Sequence, residues 1–185
     1  MIAMETTKTS PFVALGVLVA LSGLVGGCGL SVEADLPDVE ITKRDLAFPG
    51  MPASTVVGDA AMTRSFTQQH AKLALPDHLN SDVEILGVRV VAKRGVSDLS
   101  FIHDLRVTLS AGAQQGTPVE LVSYHDPSNA SAGTVLEIAN TTHENASNEL
   151  RTDAATFTVE VAGSLPQRDW AIDLAIRFSA KLRYR

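Results

Sequence analysis

Alternation of apolar and polar residues with a period of two dominates the C-terminal end of this chain. Trp170, Ile172, Leu174, Ile176, Phe178, Ala180, Leu182 and Tyr184 alternate with Ala171, Asp173, Ala175, Arg177, Ser179, Lys181, Arg183 and Arg185. Successive side chains of a strand point to opposite faces, so the run predicts one long strand with a buried face and a wet face. A helix would scatter the same apolar groups around its circumference. Shorter versions recur upstream. Residues 83–92 are rich in β-branched side chains, and Leu105, Val107 and Leu109 alternate with Arg106, Thr108 and Ser110. Residues 119–124, 134–139 and 155–162 read as further strands, and Val39 and Ile41 open a first one that Pro49 and Pro52 stop. Residues 62–69 suit a strand, although Phe66, Gln69, Leu73 and Leu75 also permit a short amphipathic helix, and Pro76 ends either one. Helix is otherwise confined to single turns, one capped by the Ser97-Asp98 pair and one over residues 148–151.

Many short strands separated by turn-rich loops, with no helix of ordinary length, predict an all-β fold: an antiparallel β-sandwich, immunoglobulin-like or similar. The long last strand is expected at a central position or bent across both sheets. Only that one run reaches the length an integral outer-membrane barrel needs in every strand, so such a barrel is not expected.

The N-terminal end follows a different pattern. Residues 11–25 form an uncharged, apolar run interrupted only by Ser22. It falls short of the ~20 residues that cross a bilayer comfortably but fits the h-region of a secretion signal. Gly16, Gly23, Gly26 and Gly27 loosen its end, and the run stops at the only cysteine in the chain. The four residues Val25-Gly26-Gly27-Cys28 resemble the lipobox of bacterial lipoproteins: a branched aliphatic, two small residues, then cysteine. The resemblance covers about the first thirty residues. It implies a diacylglyceryl group on the Cys28 thiol, cleavage before that residue, and acylation, palmitate included, of the new amino group. It also implies three segments: a signal peptide over residues 1–27, a lipidated N-terminus and tether over residues 28–37, and a β-sandwich domain over residues 38–185. Gly29 stands where an aspartate would retain many lipoproteins at the inner membrane, so the resemblance implies the cell envelope, anchored in the outer membrane.

Removal of the signal leaves about 158 residues, enough for one domain with a proper core. The net charge of −6 is unchanged by the cut, because Glu5 and Lys8 leave together. Mild acidity argues against nucleic acid as a partner, since neutralising phosphates takes a basic footprint. With Cys28 acylated, no second cysteine remains for a disulfide, and the core alone must hold the domain.

Candidate chemistry is sparse. His103-Asp104, His125-Asp126 and His143-Glu144 each pair a histidine with an acid, but no i,i+2 or i,i+4 histidine spacing or HExxH helix accompanies them. Neighbouring residues on a strand face opposite ways, so these pairs suit chelation poorly. There is no G-x-S-x-G elbow. No cofactor, metal or catalytic residue is therefore expected, and the chain is not read as an enzyme. Trp170, Phe178, Tyr184 and Phe157 fall in register with buried faces, which leaves few aromatics for a sugar-stacking platform. Arg177, Lys181, Arg183 and Arg185 form a basic stripe on the last strand. It suits either anionic head groups or an acidic partner, or a solvated strand edge kept from pairing; the second reading is preferred. Asn129, Asn140 and Asn145 each begin an N-x-[ST] triplet, expected to be incidental in Ser/Thr/Asn-rich loops. The expectation is a membrane-anchored, non-enzymatic lipoprotein with a structural or interaction role, partnered by the membrane through Cys28 and by an envelope protein or glycan. The alternatives are a ligand- or glycan-binding lipoprotein, which needs a groove at a face or end of the sandwich, and an envelope hydrolase, which needs titratable groups converging in a cleft.

Overall fold

The computed structural model describes residues 32–52, 59–69, 80–111, 115–126, 128, 133–140, 145–150 and 154–184. Cys28 and the apolar run before it, His143, and the Asn129 triplet lie outside the described residues. Among the described residues eight strands and one helical turn follow in order: β1 Val32–Phe48, β2 Ala60–Gln69, β3 Asn80–Ala92, β4 Ile102–Ala111, β5 Gln115–His125, β6 Val135–Ala139, α1 Ser147–Leu150, β7 Ala154–Gly163 and β8 Trp170–Tyr184. They form two four-stranded sheets, ordered β1-β8-β3-β6 and β2-β7-β4-β5, with every neighbouring pair antiparallel.

The antiparallel sandwich anticipated from the alternation is thus present. Its strand order pairs first with last, second with seventh, third with sixth and fourth with fifth. That is a hairpin of the whole chain wrapped around itself, the jelly-roll order rather than the immunoglobulin one. β8 takes the central position in its sheet, between β1 and β3, and does not cross to the other. Its inward residues Trp170, Ile172, Leu174, Ile176 and Phe178 are all buried, and they meet Leu105, Val107, Leu109, Phe157, Val159 and Val161 from the opposite sheet in one core.

Several local expectations change. β1 starts at Val32, so six residues of the expected tether are strand. Pro37 is tolerated because β1 is an edge strand and a register shift falls between Leu36 and Val39, where the missing N–H breaks no ladder bond. A second shift, between Lys43 and Leu46, carries Asp45 at φ 51°, a left-handed conformation that aspartate accepts better than most residues. Residues 62–69 are strand, not helix. The Ser97-Asp98 pair caps no helix: the Asp98 carboxylate accepts the Ser100 amide and hydroxyl and folds an Asx-type turn. Those bonds hold its carboxyl below the ordinary range, the Ser100 hydroxyl first among them. The second helical turn is α1, beginning one residue earlier than expected.

α1 completes the first sheet. β6 pairs with β3 only from Gly87 to Val91, which leaves the first half of β3 without a neighbour on that side. The segment leading into α1 takes that place. The Ala146 amide donates to the Val83 carbonyl at 3.0 Å, and the Val83 amide donates to the Ser147 hydroxyl at 2.9 Å. Buried backbone groups are paired in this way without a fifth strand. Gly87 allows β6 to approach at all: a Cβ there would meet the Ile138 carbonyl oxygen at 2.5 Å. Among the described residues no helix is long and apolar enough to cross a membrane.

Candidate functional site

The topology sorts the connections by end. The start of β1 and the end of β8 lie together at what we call the proximal end, since Val32 pairs with Tyr184. The β1–β2, β3–β4, β5–β6 and β7–β8 connections all emerge at the opposite, distal end. Most of the unusual side chains gather there.

Two histidines anchor one distal corner. His103 bonds Asp59 through Nδ1 at 2.9 Å, and His125 bonds Asp104 across the β4–β5 pair. The neighbour pairs noted in the sequence are therefore not the pairs that form: Asp104 serves His125, not His103. The Asp104 carboxylate raises the pKa of His125 above its ordinary 6.5, first by accepting its ring hydrogen and then through its charge. Burial, followed by the charge of Asp126 and a hydrogen bond to it, pushes the Tyr124 hydroxyl up. Arg106 bonds Glu120 at 3.2 Å, with Ser123 and Glu160 opposite it on the two neighbouring strands. Asp104, Arg106, Ser123, Tyr124 and Glu160 line a shallow depression of about 230 Å³ on this outer face. The His125 side chain is 71% exposed and, among the described residues, bonds only Asp104. This corner is an exposed ion-pair patch. Among the described residues no three His, Cys, Asp or Glu side chains converge as a metal site needs.

The second distal feature is a cleft at the mouth of the sandwich. Ala47, Phe48, Pro49, Arg64, Arg94, Asp169 and Trp170 line an open volume of about 490 Å³. Its base is aromatic. Phe48 and Trp170 face each other in register and stack at 4.3 Å, while Phe101 meets Trp170 edge-on at 5.0 Å. Both Phe48 and Trp170 are buried, so neither is a platform on which a sugar ring stacks directly. Arg64 stands opposite buried Val159, on the inward-facing row of β2 between Met62 and Phe66. From there its Nε donates to the Ala47 carbonyl at 3.0 Å and bridges the two sheets across their open edge. Arg94 reaches Asp45 at 3.5 Å, and Asp169 accepts the Gly50 amide at 2.9 Å. Gly95 holds the adjoining turn at φ 82°, where a Cβ would meet the Asp169 carbonyl oxygen at 2.3 Å. Sequence reasoning passed over this cleft. The one available signal was a charge, Arg64, standing on the apolar side of an alternating strand.

The outer faces differ. On the first sheet, Lys181 is in register with Asp35 and Asp82, and Arg177 with Glu40. The stripe is therefore not an edge, because β8 is paired on both sides, and acidic residues of β1 and β3 flank its described members Arg177 and Lys181. The other sheet carries two rows of hydroxyls, Thr67-Thr156-Ser110 and Ser65-Thr158-Thr108, bonded across β2 and β7 at 3.2 and 2.9 Å. Two of the three N-x-[ST] asparagines spend their amides on structure. Asn140 donates to the Ile85 carbonyl, and Asn145 donates to Asp82 while its oxygen accepts the Ser147 amide. Compared with known protein-family models and with curated proteins, the chain matches none.

Proposed function

We propose that the protein is a membrane-anchored lipoprotein of the cell envelope, held in the outer membrane by acyl chains on Cys28, with a non-enzymatic sandwich that presents its distal end to a partner. The observation that carries the reading is the Val25-Gly26-Gly27-Cys28 motif directly behind an apolar run of signal length. The position of β1 supports it: the strand starts four residues after Cys28, at the proximal end. In this reading the proximal end faces the lipid and the distal loops face outward. Two or more acyl chains, at about 0.8 kcal/mol per buried methylene, make such an anchor durable where one chain gives only marginal binding. No cofactor enters this reading. The partner class is an envelope protein or a glycan, met at the distal end and not through nucleic-acid contacts.

Cys28→Ser tests the anchor. The variant is expected to accumulate as unprocessed precursor and to lose metabolic labelling with palmitate. Wild-type processing and label in the variant would overturn the reading.

A further inference from the structure

We propose that the distal cleft between Arg64 and Arg94 binds a small ligand through an oxyanion, a carboxylate or a phosphate. The inference rests on the distal end being the interaction end, but not on acylation of Cys28.

The argument is a surplus of donors. Among the described residues Arg64 uses only its Nε, on the Ala47 carbonyl. Its two Nη groups, a planar fork of four N–H bonds, have no acceptor among the described residues. Arg94 meets Asp45 only at 3.5 Å, with both side chains more than half exposed, so that pair is open to competition. The Trp170 indole N–H is buried without an acceptor among the described residues, closed off from solvent, and serves here as a reporter in the cleft wall and not as one of the open donors. Against these donors the cleft sets a single lining carboxylate, Asp169, one oxygen of which already accepts the Gly50 amide. A ligand rich in acceptors is what this lining lacks. Guanidinium forks match planar or tetrahedral oxyanions in geometry as well as charge.

Placement favours the same conclusion. A charge on the inward row of an edge strand can be explained as protection against strand pairing. Lys43, with its ammonium 5.9 Å from the Phe66 ring centre, already places a charge along that edge. Arg64 is instead turned to the cleft mouth and fixed there by its carbonyl bond. The volume is of the size that holds one sugar or one small acid.

Trp170 is the only tryptophan, so its indole N–H gives a single resonance in the wall of the cleft. The full-length protein, nitrogen-15 labelled and in detergent, is titrated with glucuronate, glucose 6-phosphate, inorganic phosphate and glucose. The expected result is a saturable shift of the indole resonance with at least one oxyanion and none with glucose. Glucuronate alone assigns a carboxylate ligand; glucose 6-phosphate or inorganic phosphate assigns a phosphate one. Arg64→Gln is expected to weaken apparent affinity at least about tenfold, and Arg64→Lys less. Should Arg64→Gln fail to fold, Arg94→Gln, on an exposed turn, carries the same comparison. No shift with any oxyanion, an equal shift with glucose, or full affinity in the folded variants would overturn the proposal. Loss of palmitate labelling and loss of this shift are separate outcomes, so either idea can fail alone.

Discussion

At the distal end of the sandwich, Trp170 is wedged between Phe48 and Phe101. Toward the proximal end the same sheet is completed by hydrogen bonds, with Ala146 and Ser147 standing in for a strand along Val83. One region is secured by large buried surfaces, the other by satisfying buried backbone groups. The difference teaches where change is affordable. A well-packed aromatic base can carry charged side chains at its mouth without losing its shape, which suits a binding end. The segment around α1, which buries Ala146 and Leu150 along with Ser147, keeps β3 from exposing an unpaired edge.

That comparison can be broken by substitution. Trp170→Ala is expected to have the largest effect, a loss of about 3–5 kcal/mol in urea unfolding, because a large aromatic leaves a cavity that its neighbours fill only in part. Ser147→Ala is expected to cost less, about 1–2 kcal/mol, since the Val83 amide loses its 2.9 Å acceptor but keeps the Asn145 oxygen at 3.3 Å. Equal losses would mean that the two regions are not built differently. The smallest effect concerns the distal ion pairs. His125 has its pKa raised by Asp104, so its contribution to stability is complete below the ordinary value near 6.5 and is lost as pH rises through the folded value. Histidine NMR titration should place His125 above 6.5, and Asp104→Asn should bring it back toward that figure. Asp173 behaves in the opposite sense. Burial pushes its carboxyl up, but the Asp45 amide and the Lys93 ammonium outweigh burial and hold it below the ordinary range. Its contribution therefore fades as pH falls into the acid range.

Much of the body was legible from alternation. A period of two registers burial on one face, and the run from Trp170 to Tyr184 states that directly. Strand partners were not legible, because alternation says which face is wet and nothing about which strand lies alongside. For that reason the basic stripe on β8 read as an edge when β1 and β3 enclose it. The same gap hid the His125–Asp104 pair, which exists only through the β4–β5 register, and the cleft, which joins residues from β1, β2, β8 and three loops. Pro37 misled for a local reason: proline usually closes a strand, but an edge bulge admits it. The proposed anchor is the reverse case. Its chemistry is written in four consecutive residues and needs no tertiary partner to be read.

Placement of the protein depends on that cysteine. Mass spectrometry of the mature protein isolated from its native membrane should find Cys28 as the first residue, its sulfur diacylglycerylated and its amino group acylated. An intact residue 1–27 segment on a chain whose Cys28 thiol is free would contradict the account.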